Sequence, residues 1–160
     1  MLKKFISGGQ TGADQLGLQI AKEFGLQTGG WMPKGWKTED GPNQLLAEEF
    51  GLAESASASY YPRTYANARD SDGTVYFAYN WASAGCKATL KACEQYGKPT
   101  FLVNLKSPQP VKQMADWVDS HGITVLNIAG HRGSYLSFEQ SEFIRQYLRD
   151  LLKLYGYKNE

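Results

Sequence analysis

Short apolar runs alternate with amphipathic stretches along the chain. The apolar runs predict β-strands at residues 2–7, 74–78, 100–105 and 123–129, with a shorter extended segment at 26–29. Helical periodicity predicts helices at residues 14–24, 45–50, 64–70, 84–96, 111–120 and 138–154. Because strands and helices alternate, we expect an α/β fold with a mostly parallel central sheet and helices on both faces. The length of 160 residues suits a single domain spanning residues 1–160.

Two stretches carry no clear periodicity. Residues 29–43, GGWMPKGWKTEDGPN, predict a loop, and residues 51–62 predict irregular structure. A loop as long as the first is uncommon in a compact domain and is often functional. In parallel sheets, ligands bind beyond the carboxyl ends of the strands. A binding site is therefore expected in the loops that follow strands, which contain GGQTGAD, GGWMPKG, NWASAGCK, NLKSPQP and AGHRGS.

The charge pattern argues against two classes of partner. The net charge is +1 and no long run of one sign occurs, which disfavours a general nucleic-acid or membrane-surface binder. No stretch is long and apolar enough to span a bilayer, and MLKKFISGG lacks the apolar region of a signal peptide. We therefore expect a cytoplasmic protein.

The two cysteines do not predict a disulfide or a metal site. Cys86 and Cys93 fall seven residues apart in one predicted helix, which separates their Cα atoms by roughly 10 Å. That distance exceeds the reach of a disulfide. The two histidines, His121 and His131, are distant in sequence, so small side chains packed on a helix are the simpler interpretation of both thiols.

The segment GGQTGAD follows a predicted strand and opens a predicted helix. Its glycines, Gly8, Gly9 and Gly12, allow a ligand to approach the backbone closely, and free N–H groups at a helix start favour an anion. Gln10 and Thr11 add polar side chains. The spacing is neither the dinucleotide fingerprint nor a P-loop, and a tight turn without a ligand remains an alternative.

The segment AGHRGS repeats this arrangement after the last strand. Gly130 opens the backbone, Arg132 offers a planar fork for an oxyanion, and Ser134 is placed to cap the next element. The alternative is a capped loop with a solvated arginine. A lone histidine in a loop is more often solvent-facing, so we expect His131 at the surface even if it contacts a ligand.

Polar side chains crowd the segment RTYANARDSDGT, just before a predicted strand. Arg63 and Asn67 are four residues apart and share a face if the segment is helical. Asp70 and Asp72 are candidates to accept hydrogen bonds from ring N–H or ribose hydroxyl groups, or to act as acid or base. Equally, Arg69 beside these carboxylates fits a surface ion pair of little energetic value.

The long loop carries two tryptophans and two lysines. Trp31 and Trp36 offer faces on which a planar ligand could stack, with Lys34 and Lys37 beside them. The tryptophans could equally cover the core or a subunit interface.

The order of these motifs resembles one family. SGGQTGAD, GGWMPKG, TEDGP, RTYANARDSDGT, the GC-x-x-T of GCKAT, GKP and VLNIAGHRGS are similar to the circularly permuted YpsA branch of the SLOG superfamily. That branch includes molybdenum-cofactor carrier proteins. The resemblance implies a Rossmann-like fold related to the lysine-decarboxylase-like phosphoribohydrolases, a homotetramer or homodimer, and a phosphate-bearing, nucleotide-like or pterin ligand. For a carrier, that ligand is the molybdenum cofactor, a molybdopterin with a terminal phosphate.

The resemblance also implies the residues of the ligand site, to which the local motifs add Gln10, Lys34, Cys86 and His131. The predicted cofactor-binding set is Gly8, Gly9, Gln10, Thr11, Gly12, Lys34, Arg63, Asn67, Arg69, Asp70, Ser71, Asp72, Gly85, Cys86, Thr89, Gly130, His131, Arg132 and Ser134. No catalytic residue and no protein ligand to a metal are predicted.

The chain departs from the family pattern in two loops. Gly85-Cys86 stands where the family usually has Gly-Thr. The last loop usually reads AGPRES, whereas here His131 replaces the proline and Gly133 replaces the glutamate. Loss of that acidic residue weakens a catalytic interpretation and leaves this corner less negative, which suits an anionic ligand.

We therefore expect a carrier that binds, stores and protects the molybdenum cofactor before delivery to the enzymes that depend on it; a molybdate or tungstate oxyanion is a further candidate ligand. The first alternative is an enzyme resembling the related phosphoribohydrolases, which act on nucleoside monophosphates. Those families use GGxGT-x-x-E, whereas this chain offers only Asp14 as an acid near its glycine loop, so binding is favoured over hydrolysis. The second alternative is a sensor of a nucleotide-derived ligand.

Overall fold

Residues 1–159, which the computed structural model describes, form a six-stranded, all-parallel sheet in the order β3-β2-β1-β6-β4-β5. The strands are β1 (Lys4–Ile6), β2 (Gln27–Met32), β3 (Leu52–Glu54), β4 (Gly73–Ala78), β5 (Thr100–Asn104) and β6 (Val125–Gly130). The helices are α1 (Ala13–Glu23), α2 (Gln44–Phe50), α3 (Tyr60–Asp70), α4 (Ala84–Gln95), α5 (Val111–Ser120) and α6 (Phe138–Leu154), with a 3₁₀ turn at Gly133–Tyr135. The predicted α/β, Rossmann-like fold with a parallel central sheet is confirmed.

Strand β4 shows why helices cover both faces of the sheet. Its sequence, GTVYFA, is buried at every position, as expected for a central parallel strand. Val75 and Phe77 point into the main core, which also contains residues of α1, α5 and α6. Tyr76 and Ala78 point the other way and pack with Cys86 of α4. The alternation along one strand therefore separates two hydrophobic layers.

Helix α6 closes the main core on one side. It begins with a capping box, in which the Ser137 side chain accepts from the Gln140 backbone N–H and the Gln140 side chain accepts from the Ser137 N–H. Ile144, Leu148 and Leu151 follow at helical spacing and are fully buried in that core. The predicted helix at 138–154 is thus confirmed to the residue.

The structure differs from the predicted elements at the edge of the sheet. Strand β2 continues to Met32, and residues 52–54, predicted as irregular, form β3. Gly30 and Leu52 are paired in parallel register, so this short strand depends on its neighbour more than on its own sequence. Propensity alone misses it because strand formation is set by pairing and packing.

Helix α3 begins four residues earlier than predicted, at Tyr60 instead of residue 64. The side chain of Ser59 caps it by accepting from the Tyr61 N–H. Pro62 falls in the first turn, where its missing N–H costs no helical hydrogen bond. The earlier start places Arg63 in the first turns of the helix.

The strand order brings three loops to one point. The chain runs outward from β1 to β3, crosses to β4 and β5, and returns to insert β6 between β1 and β4. The loops after β1, β4 and β6 therefore leave the same edge of the sheet side by side. Such a switch in strand order is where open α/β sheets bind ligands.

Among residues 1–159, none of the helices combines the length and apolar character needed to cross a membrane.

Candidate functional site

A cleft of about 520 Å³ opens at this switch point. Its volume is within the range of small-molecule binding sites. Four parts of the chain contribute to its lining: the β1–α1 loop, the start of α3, the β4–α4 connection and the loop after β6. The polar and aromatic lining residues are Gln10, Asp14, Tyr60, Tyr61, Arg63, Thr64, Tyr76, Tyr79, Asn80, Ser83, Thr89, His131, Arg132 and Tyr135.

The floor of the cleft is an ion pair between Arg63 and Asp14. The Arg63 Nη1 lies 3.4 Å from the Asp14 Oδ2, and the two side chains are 16% and 7% exposed. The Gln10 N–H also donates to Asp14 Oδ2, at 3.2 Å. Burial raises the pKa of Asp14 to about 6, although Arg63 and the backbone donors oppose that rise.

Arg63 has a donor without an acceptor among the described residues. Its Nε is buried and has no hydrogen-bond partner within the described residues. Burial lowers the pKa of Arg63, with Asp14 acting against it, but a guanidinium stays protonated in proteins. A planar fork with unused N–H groups in a cleft is suited to an oxyanion.

The glycines of GGQTGAD make room for protein groups. A Cβ at Gly8 would lie 1.8 Å from the Arg63 Nη1, so this glycine allows the arginine to reach Asp14. At Gly12, φ is 82° and a Cβ would lie 2.3 Å from the His131 carbonyl oxygen. The Ala13 N–H, at the start of α1, donates to that same oxygen at 3.1 Å. The first and last loops of the cleft are therefore packed backbone to backbone.

His131 is buried, so the expectation of a solvent-facing histidine is wrong. Its Nε2 accepts from the backbone N–H groups of Tyr79 at 3.2 Å and Asn80 at 3.3 Å. Its ring packs edge-on against that of Tyr79, with centroids 4.5 Å apart. Burial lowers the pKa of His131, and a ring nitrogen that accepts two hydrogen bonds requires the neutral form. His131 therefore ties the loop after β6 to the one after β4.

Glu39, in the long β2–α2 loop, holds the first and last loops together. Its carboxylate accepts from the hydroxyl of Thr11 and from both the N–H and the hydroxyl of Ser134, the last two at 3.0 and 2.7 Å. The Thr11 hydroxyl oxygen accepts from the Gly133 N–H at 3.0 Å. Burial opposes ionisation of Glu39, but the Thr11 and Ser134 donors outweigh it and lower the pKa. Glu39 is absent from the predicted site residues, and the one sequence signal for it is its place in the TEDGP motif.

The rim of the cleft combines an exposed arginine with tyrosines. Arg132 is exposed, and its guanidinium carbon lies 6.0 Å from the ring centroid of Tyr135. Two cations lie over the ring of Tyr60: the guanidinium carbon of Arg63 is 5.3 Å from the ring centroid and the ammonium nitrogen of Lys37 is 4.4 Å from it. The sequence pattern did not identify the cleft tyrosines, because they lie in three separate stretches and form no motif; they are Tyr60, Tyr61, Tyr76, Tyr79 and Tyr135.

Four predicted residues at the end of α3 lie outside the cleft. Arg69 and Asp70 form a surface ion pair of 2.7 Å, and the Asp70 carboxylate also accepts from the indole of Trp31 at 2.8 Å. The Ser71 hydroxyl donates to the Ala68 carbonyl oxygen. Asp72 caps the start of β6 by accepting from the backbone of Thr124 and Val125. Helix α3 begins beside the cleft, at the carboxyl edge of the sheet, and runs towards the amino edge, where these four residues lie. Of the expected second ligand wall, Arg63 alone lines the cleft.

Asn67 and Gly9 also have structural partners. The Asn67 amide lies below the cleft, accepting from the N–H of Trp31 at 2.9 Å and donating to its carbonyl oxygen at 3.1 Å. Gly9 takes a φ of 69° and packs on Met32. Lys34 is exposed and does not line the cleft.

The remaining predicted residues divide between the cleft and the core. Gly85, Thr89 and Gly130 line the cleft. Cys86 is fully buried behind them, and its thiol and that of Cys93 are free. Within residues 1–159, His, Cys, Asp and Glu side chains form no group of three or more that could hold a metal ion.

The sheet order and the cleft at its switch point define a Rossmann-like α/β protein. Residues 5–152 match the model of the circularly permutated YpsA SLOG family, and the chain belongs to that family.

A solved structure resembles the chain over nearly its whole length. It is the crystal structure of a protein named "Putative molybdenum carrier protein", from Syntrophus aciditrophicus SB. The two are 36% identical with a TM-score of 0.79, and the similarity covers 96% of this chain and 94% of the other. No protein of curated function matches the chain.

Proposed function

We propose that this protein binds the molybdenum cofactor in the cleft and carries it as cargo to enzymes that depend on it. Family membership and the name of the Syntrophus protein support a molybdenum-related carrier. The observation that carries the proposal is the convergence of Arg63 and Arg132, from separate elements, on one cleft lined by five tyrosines. Arginines suit a phosphate, and tyrosine rings suit a planar pterin.

The residues of the cleft fit the two ends of such a ligand. Arg63, which lines the cleft and donates from Nη1 to Asp14, would take the phosphate with the remaining N–H groups of its guanidinium. The rings of Tyr79 and Tyr135 also line the cleft and would cover the pterin, and Arg132 would add a second positive charge at the rim. Binding in this cleft would shield the cargo from water, which is the chemistry required of a carrier.

Co-purification tests this function. The protein is produced in one bacterial host that makes the cofactor and in another that cannot, and molybdenum and the fluorescent oxidised pterin are measured per chain. We expect both from the first host only. Arg132→Ala should lower both, whereas Arg145→Ala, which removes an arginine paired with Glu142 on α6, should not. Equal pterin in the wild type and in Arg132→Ala would contradict the assignment of the cleft.

A second candidate is hydrolysis of nucleoside monophosphates. The observation that favours it is the buried Asp14, whose pKa of about 6 suits a general acid or base. Release of free base from nucleoside monophosphates, abolished by Asp14→Asn, would support an enzyme. If no base is released, hydrolysis is excluded and the carrier function stands. The homotetramer or homodimer implied by the family resemblance and the cytoplasmic location both stay predictions.

A further inference from the structure

The floor of the cleft presents any incoming anion with a carboxylate as well as an arginine. Asp14 and Arg63 are 3.4 Å apart, and both line the cleft. An oxyanion that takes the free N–H groups of Arg63 therefore comes close to Asp14. In a site so largely shielded from water, two neighbouring negative charges repel strongly.

One proton placed between the two groups removes this repulsion. If the oxyanion carries an O–H, that group can donate to the Asp14 carboxylate, which then acts as an acceptor. Asp14 can accept this further hydrogen bond, because a carboxylate has about four lone-pair sites. The hydrogen bonds from the Gln10 N–H and from Arg63 both go to Oδ2. An oxyanion without a proton has no such donor.

We propose that Asp14 makes Arg63 selective for an oxyanion that brings its own proton, so that the cleft prefers phosphate to sulfate or molybdate. This inference rests on the proposed function, since it takes the cleft as the ligand site. It adds that the phosphate end of the cargo, and not a bare metal oxyanion, binds at the floor. Inorganic phosphate retains an O–H at about pH 8, and a phosphate monoester, whose second pKa is about 6, can share one proton with Asp14 near that pH. Sulfate and molybdate are fully ionised.

The properties of Asp14 support the sharing of one proton. Its pKa, raised by burial to about 6, is close to the second pKa of a phosphate monoester, which is also about 6. A proton shared by two groups of similar affinity costs little to hold in place. A sulfate ion, in contrast, can bind only after Asp14 itself has taken a proton from water.

The other groups around the pair do not offer a competing carboxylate. Arg63 and Tyr60 come from α3, Tyr76 from β4, and His131 and Arg132 from the loop after β6. Among the described lining residues, Asp14 is the one carboxylate. His131 has its Nε2 engaged by two backbone donors, and Glu39 near Arg132 is held by Thr11 and Ser134. A loss of sulfate affinity above pH 6 is therefore assigned to Asp14.

The test is titration calorimetry of the cofactor-free protein with inorganic phosphate, sodium sulfate and sodium molybdate. At about pH 8, above the pKa of Asp14, phosphate should bind at least about tenfold more tightly than either other ion. At about pH 5.5 the gap should narrow, because Asp14 then supplies the proton. Asp14→Asn should bind sulfate and phosphate within about twofold at both pH values, whereas Asp116→Asn, which removes an exposed carboxylate paired with Lys112, should keep the wild-type gap.

Three results would overturn the proposal: equal affinities in the wild type at the higher pH, a gap that survives in Asp14→Asn, or no saturable binding of phosphate. Should Asp14→Asn fail to fold, proton uptake by the wild type in buffers of different ionisation enthalpy decides. About one proton should be taken up per sulfate and close to none per phosphate. A protein that co-purifies with the cofactor yet binds both ions equally would refute only this inference; one that selects phosphate but never holds the cofactor would refute only the carrier function.

Discussion

The two arginines of the cleft occupy opposite environments. Arg63, at the floor, is 16% exposed and paired with a buried carboxylate. Arg132, at the rim, is exposed and lies against the ring of Tyr135. The floor arginine therefore belongs to the folded structure as well as to the ligand site, whereas the rim arginine is free to serve the ligand alone. Removing one should affect stability and binding together, and removing the other should affect binding only.

The largest effect is expected at the floor. Arg63→Ala leaves Asp14 buried without its partner, which typically costs about 3 kcal/mol or more of unfolding free energy. A carboxyl whose pKa is raised in the folded state gives stability at low pH that is lost as the pH rises through the folded pKa. Without Arg63 that pKa rises further, so the deficit should be greater at about pH 8 than at about pH 5. Urea unfolding at both pH values measures it.

Asp14→Asn provides the check on this explanation. Added to Arg63→Ala, it removes the stranded charge and should restore part of the lost stability at the higher pH. A double variant as unstable as the single one would mean that Arg63 acts through packing instead of charge.

The contact that joins the floor loop to the rim loop should come next. Gly12→Ala combines a φ of 82° with a Cβ 2.3 Å from the His131 carbonyl oxygen, so we expect a loss of about 2 kcal/mol or more. Gly35→Ala is the matched control, since its φ is 80° but no atom lies within 4 Å of its Cβ. It should lose only about 1 kcal/mol, from backbone strain alone. Equal losses in thermal unfolding would show that the two loops can move apart without penalty.

At the rim, Arg132→Ala should leave the unfolding free energy within about 0.5 kcal/mol of the wild type. Ligand affinity should fall by about tenfold, the usual value of one charge-assisted hydrogen bond. Arg132→Lys, which keeps the charge but loses the planar fork, should be intermediate. A marked loss of stability in Arg132→Ala would remove the distinction between floor and rim.

The sequence predicts the strands and helices well because their hydrophobic periods are strong. Strand β4 and helix α6 are recognisable from sequence alone, since each buries a continuous apolar pattern. Strand β3 is not, because the pairing that stabilises it comes from β2. Three of the five loops predicted at the carboxyl edge, those after β1, β4 and β6, line the cleft, whereas GGWMPKG and NLKSPQP do not. Strand direction fixes which strand ends share an edge, but it does not show which of their loops meet.

The site itself was predicted only in part. The sequence places Arg132 in a candidate loop and Arg63 in a polar segment before a strand. A motif cannot show where a helix ends in space, and Asp72 caps β6 instead of lining the site. The glycines were expected to approach a ligand, whereas Gly8 and Gly12 make room for Arg63 and for the His131 backbone. Such contacts depend on residues far apart in sequence, which no local pattern contains.

His131 gives the smallest predicted effect, and it has the opposite sign to that of Asp14. Burial lowers its pKa in the folded state, so unfolding lets the imidazole take up a proton at mildly acidic pH. The stability due to His131 is complete above about pH 6.5, the ordinary histidine value, and is lost as the pH falls below it. His131→Gln, which keeps a side-chain acceptor for the Tyr79 and Asn80 N–H groups but cannot titrate, should lose less stability between about pH 7 and pH 5 than the wild type.

Thermal unfolding of Asp14→Asn and His131→Gln across this range separates the two contributions. Removing the titration of Asp14 should make stability fall more steeply on acidification, and removing that of His131 should make it fall less steeply. If both variants follow the wild-type curve, neither group changes its protonation on unfolding in this range. The same pair of measurements therefore tests whether burial shifts the pKa of Asp14 upwards and that of His131 downwards in the folded protein.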